Sequence, residues 1–214
     1  CNVTGGSRTT FATGMAVTQA CEAVIADCKR RAAMTWGLDE DQVEWEDGQA
    51  IPGPGVNADV KPLSLAELAR KAGKTGGPIT ARASLNAQGA GAAFSVNFGD
   101  LRVDRETGKV DVLSYTAIQD AGKAIHPAYV EGQMQGGAAQ GIGWALNEEY
   151  IFDDKGVLEN AGFLDYRIPV ASDLPMIDTK IVEVPNPSHP FGVRGVGETP
   201  IVAPLGVCAN AVSR

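Results

Sequence analysis

The sequence is short of several things, and each shortage excludes a class of protein. No stretch approaches the roughly 20 uninterrupted apolar residues that a membrane-crossing helix needs. Basic side chains number 18 against 26 acidic ones, giving a net charge of −8. That balance argues against nucleic acid or an anionic membrane as partner, because affinity for polyphosphate comes from clustered Lys and Arg. Histidine occurs only twice, as His126 and His189, each beside a proline, which argues against histidine-based metal ligation. The four cysteines, Cys1, Cys21, Cys28 and Cys208, include no pair at the close spacing of zinc or iron–sulfur sites, so the chain carries no cluster of its own. Cys21 and Cys28 lie seven residues apart in a helical pattern and read as small buried apolar residues on one face. A disulfide framework is not expected in a core of this size.

What is present is a globular composition, 44% apolar and 21% charged over 214 residues, enough for one large domain or two small ones. Glycine and proline are in excess: 26 and 12 residues, together about 18% of the chain against roughly 12% in average usage. They fall in clusters between apolar segments, unlike the scatter of low-complexity disorder. The chain opens at Cys1 without an initiator Met, signal or targeting run, and closes at Arg214 inside a helical pattern. Both ends read as cuts in a longer chain, with a lipid-modified Cys1 as the lesser alternative, and the expected location is cytoplasmic.

Apolar residues at Val17, Cys21, Val24, Ile25 and Cys28 predict an amphipathic helix from Met15 to about Met34. An edge strand is expected around Val43 and Trp45. Ser64 and Glu67 have the spacing of a capping box opening a short helix to about Lys71. Phe94–Val103 and Lys109–Ala117 read as a hairpin about the turn Asp104–Gly108. A helix follows from Val130 to about Asn147, then short strands at Tyr150–Phe152, Phe163–Ile168 and Ile181–Val184, and a last helix from about Pro200. The expected class is α+β, with mixed or antiparallel sheets and helices packed on one face as a two-layer sandwich. Two regions are expected, 1–119 and 120–214.

Three glycine clusters could carry chemistry. Residues 131–143 hold five glycines in a helical segment, a propensity deficit of about 5 kcal/mol that something must offset. Either the Gly132/Gly136 and Gly137/Gly141 pairs pack closely on a neighbouring sheet, or they admit a planar or phosphorylated cofactor, with Gln133, Gln135 and Gln140 supplying amides. Gly192, Gly195 and Gly197 precede Glu198 at a loop-to-helix junction, where the carboxylate either caps the helix or serves a bound group as a general base. Gly5, Gly6, Ser7, Arg8, Thr9 and Thr10 precede the first helix and could hold a phosphate, though without the Gly-Lys-Ser/Thr of a nucleotide P-loop.

Taken in order, Gly6–Thr10, Asp120–Pro127, Glu131–Gly143 and Gly195–Pro200 make the chain resemble the C-terminal part of the molybdopterin-binding subunit of the xanthine dehydrogenase and aldehyde oxidase family, the molybdenum hydroxylases. The resemblance covers nearly the whole chain. It implies a pterin-bound molybdenum held by backbone and amide groups, with no protein side chain ligating the metal. Gln133 would lie beside the molybdenum. Gly6, Ser7, Arg8, Thr9 and Thr10 would hold the pterin phosphate or a cytosine dinucleotide extension, and Gly195 and Gly197 would admit the cofactor. Glu198 would be the base on the molybdenum hydroxide in the oxidative hydroxylation of a small aldehyde or N-heterocycle. Iron–sulfur centres and FAD would belong to partner domains or subunits. The partners would be the remainder of the molybdenum subunit, an iron–sulfur subunit and a flavin subunit, and the isolated chain would be inactive. Two rival readings are a non-catalytic assembly module, in which the glycines pack against protein and Glu198 caps a helix, and a nucleotide-binding protein using Ser7–Thr10.

Overall fold

A computed structural model describes residues 5–57, 59–86 and 91–213. Cys1 and Arg214, on which the readings of the chain ends rest, lie outside the described residues. The chain forms two compact units, one of Cys1–Phe11 with Gln88–Arg214 and one of Ala12–Ala87.

The smaller unit is built on helix α1 (Met15–Trp36), closed by Gly37 in the left-handed conformation. Strands β1 (Val43–Glu46), β2 (Gln49–Pro52) and β3 (Leu63–Ser64) form an antiparallel sheet, and helix α2 (Leu65–Arg70) follows. The expected capping box starts α2: Glu67 N–H donates to Ser64 Oγ and Ser64 N–H to Glu67 Oε2. Cys28, Ala32, Val43, Ala50, Leu63 and Leu68 form the core. Arg31 is buried with it, and its guanidinium donates to Asp27, Thr75, Gly77 and Pro78, so the charge is fully partnered. Cys21 departs from expectation. It is exposed, because the buried residues of α1, Cys28, Arg31, Ala32 and Ala33, all lie in its C-terminal half, and Cys21 sits on nearly the same face but about 10 Å along the axis from Cys28.

In the larger unit β4 (Phe94–Val103) and β5 (Val110–Asp120) form the expected hairpin, with an irregularity between Asp100 and Leu101. Helix α3 (Pro127–Leu146) crosses over to β6 (Ile177–Val182), which pairs in parallel with β5, and helix α4 (Thr199–Val212) ends the unit. Along β5, Tyr115 and Ala117 point to the helices and form a core with Met134, Ala138, Ile142, Ile177 and Cys208. The architecture is α+β, with small mixed and antiparallel sheets.

The expected boundary at 119/120 falls at the end of β5, whose pairing with β6 and packing against α3 bind both sides of it into one unit. Of the three short strands expected after α3, only one forms, shifted to β6. Tyr150–Phe152 reduces to a single bridge between Phe152 and Leu158, and Phe163–Ile168 is turns. Local groups take up the backbone there: Asn160 Oδ1 accepts from Ile151 N–H, its Nδ2 donates to Glu149 O, and Tyr166 N–H donates to Gly162 O. α3 begins three residues earlier than expected, with Pro127 in its first turn and His126 Nδ1 accepting from Tyr129 N–H.

Four of the five α3 glycines divide into two sets, and the fifth, Gly143, packs on Pro169. A Cβ on Gly141 would lie 2.5 Å from Ile201 O, and one on Gly137 2.9 Å from Pro200 Cβ, so these two let α4 approach. The close packing is therefore against a helix, not a sheet. Gly132 and Gly136 face open space, with nothing within 4 Å of such a Cβ.

Candidate functional site

The site grows from two loops far apart in sequence. Gly6 and Ser7 are both left-handed, at φ +59° and +58°, a conformation that costs a non-glycine residue energy and needs support. The support comes from the second loop: Ser7 Oγ accepts from Val196 N–H at 3.0 Å, and Gly6 N–H donates to Glu198 Oε2 at 3.0 Å. Gly195 lies against Gly6, where a Cβ would be 3.5 Å from Gly6 O. Gly197 lies against Gln133, whose Oε1 would be 3.3 Å from an added Cβ. Gly6, Ser7, Gln133, Gly195, Gly197 and Glu198 are thus brought together.

Glu198 holds the N-cap position of α4 but makes no side-chain cap bond; its carboxylate turns instead to the Gly6 loop. Ser7, Thr10 and Gln133 line a cleft of about 240 Å³ with Lys123, His126 and Tyr129. The imidazole of His126 stacks on the Tyr129 ring at 4.0 Å. Arg8 and Thr9 are exposed and take no part in the cross-loop bonds, and a π-helical turn, Thr9–Gly14, follows them. Of the other amides, Gln135 Nε2 donates to Ile177 O and so ties α3 to β6, while Gln140 is exposed.

Two contributors escaped the sequence reading. Gln119, buried on β5, donates from Nε2 to Gly195 O at 3.1 Å. Its signal was only its place in the alternation Tyr115, Ala117, Gln119. Arg194 pairs with Asp120 at 3.1 Å and donates to Val184 O and Ala92 O, fixing the loop that leads to Gly195. Asp120 also accepts from Gly122 and Val184 N–H. At Gly122 a Cβ would lie 2.3 Å from Gly192 O, so the two loops meet backbone to backbone.

Among the described residues no group of three or more His, Cys, Asp and Glu could hold a metal ion. The donors are backbone N–H groups, carboxamides and hydroxyls, arranged around bare glycine backbone and one carboxylate. This chemistry fits an organic group that brings its own metal. Gln119 Oε1 is buried beside this site without a hydrogen-bond partner.

Fold and site together define a cofactor-holding domain of α+β type. Residues 2–175 match the molybdopterin cofactor-binding domain, and the chain belongs to that family, found in the xanthine dehydrogenases, aldehyde oxidases and carbon monoxide dehydrogenases. It is 38% identical over 154 residues to the xanthine dehydrogenase molybdenum-binding subunit of Escherichia coli O157:H7, covering 70% of this chain and 20% of that one. It is 29% identical over 212 residues to the carbon monoxide dehydrogenase large chain of Afipia carboxidovorans, covering 98% and 26%. Among solved structures, Cu,Mo-CO dehydrogenase in its carbon monoxide reduced state superposes with a TM-score of 0.78 at 27% identity, covering 96% of this chain and 26% of that one. Quinoline 2-oxidoreductase from Pseudomonas putida superposes with a TM-score of 0.76 at 30% identity, covering 96% and 27%. The chain therefore spans between a fifth and about a quarter of the length of these relatives.

Proposed function

We propose that the chain is the part of a molybdenum hydroxylase that holds one side of the molybdopterin and carries the active-site carboxylate. The observation that carries this reading is the pair of bonds from Gly6 N–H to Glu198 Oε2 and from Val196 N–H to Ser7 Oγ, which join loops about 190 residues apart around bare backbone. Gly6, Ser7, Gly195 and Gly197 give close approach to the cofactor, and the Gln133 carboxamide supplies a donor and an acceptor next to Gly197. Arg8, Thr9 and Thr10 hold the phosphate end, whether the plain pterin or its cytosine dinucleotide form. When bound, the cofactor supplies the two-electron redox chemistry.

The chain's own residues then orient a proton acceptor. Gly6 N–H fixes Oε2 of Glu198, which sets the direction of Oε1, the oxygen that takes the proton as a small aldehyde or N-heterocycle is hydroxylated. Iron–sulfur centres and FAD, outside these residues in a cytoplasmic, multi-subunit assembly, would accept the electrons, and the chain on its own would be inactive.

The test is to purify the chain with its co-expressed neighbours and measure molybdenum and released pterin. One molybdenum per chain, lost together with pterin on denaturation, supports the reading. A tight complex free of both would support an assembly module instead.

A further inference from the structure

The Gly195 carbonyl and the Val196 N–H belong to one planar peptide unit. That unit is gripped from both ends: Gln119 Nε2 donates to the carbonyl at 3.1 Å, and the N–H donates to Ser7 Oγ at 3.0 Å. Thr199 Oγ1 reaches the same carbonyl only at 3.5 Å. Gln119 comes from the middle strand of the sheet, paired with Ser95 on β4 and Ile181 on β6, and is 1% exposed. It is the rigid end of the clamp. The Gly195 carbonyl can only accept, so it fixes which way the carboxamide faces and leaves Oε1 as the buried atom without a partner.

A buried amide with an unmet acceptor is a poor choice for stability, since an apolar side chain of the same length would fill the space without that cost. We infer that Gln119 is a positioning residue: by holding the 195–196 peptide it sets the plane from which Glu198 reaches Gly6 N–H. This rests on the reading of Glu198 as the functional carboxylate. Its consequences for the loop can nevertheless be measured without cofactor.

The experiment is amide hydrogen exchange on the full chain, comparing the native sequence with Gln119→Met and Gln119→Leu. Both variants keep the bulk and remove the donor. The expected result is that the Val196 and Gly6 amides exchange about three- to tenfold faster, as loss of one hydrogen bond implies. The β4–β5 ladder amides and the melting temperature should hold or rise. A side chain that merely fills space gives the opposite pattern: Met restores native exchange at Val196 and Gly6, or the loop and ladder amides accelerate together. Either outcome overturns the inference. In the assembled enzyme, Gln119→Met should keep its molybdenum and lower kcat with KM unchanged. If exchange moves as expected while replacement of Glu198 leaves turnover intact, the positioning role stands and the reading of Glu198 fails.

Discussion

Ser7 carries more than its place before a helix suggests. Its left-handed backbone is a cost, and its hydroxyl offsets that cost by receiving the Val196 N–H. Ser7→Ala keeps the strain and loses the acceptor, so it should lower unfolding free energy by about 1 kcal/mol, read by denaturant titration. Ser7→Gly relieves the strain and should lose less, while freeing the 195–198 loop to the same degree. At Gly197 the neighbour is the end of a flexible side chain. Gly197→Ala should therefore fold normally, with the Gln133 carboxamide displaced, and the defect should appear in molybdopterin retention rather than in stability.

Helix α3 separates the two uses of glycine. Gly141→Ala would put a methyl 2.5 Å from a backbone oxygen of α4, which cannot yield cheaply. A loss of about 1–3 kcal/mol is expected, the range for overpacking a tight contact. Gly132→Ala meets nothing and should raise stability by up to about 1 kcal/mol. Thermal unfolding of the two variants checks both signs. In the smaller unit, burial raises the Asp27 carboxyl, but bonds from Arg30 and Arg31 outweigh it and leave the pKa below the usual range. The Ser64 hydroxyl and N–H likewise lower Glu67. Both groups bind protons more tightly unfolded than folded, so their contribution is complete above about pH 5.5, about a unit above the unfolded values, and is lost as pH falls through the folded values. Asp27→Asn should flatten the acid limb of a stability–pH curve below about pH 5.

At the scale of the whole molecule, local elements were the legible ones. The capping box of α2 and the β4–β5 hairpin are written in adjacent residues, and both form. The partner of β5 was not legible, because the parallel pairing with β6 joins segments about 60 residues apart and leaves no local turn signal. The same non-locality hid Gln119, whose contact exists only once Gly195 arrives beside it. The glycine motifs did not tell Gly137 and Gly141, which pack, from Gly132 and Gly136, which stay open. On the ordered turns after α3, Phe163 is 103% exposed and Leu164 94% exposed, an apolar display consistent with assembly into something larger. Assembly is also where the central claim, that the clasped loops present Glu198 to a bound molybdopterin as a proton acceptor, is tested most directly. The decisive measurement is turnover and molybdenum content of the assembled enzyme carrying Glu198→Gln. The account expects molybdenum retained and turnover reduced by about 10²- to 10⁴-fold. Native turnover at native molybdenum content would contradict it.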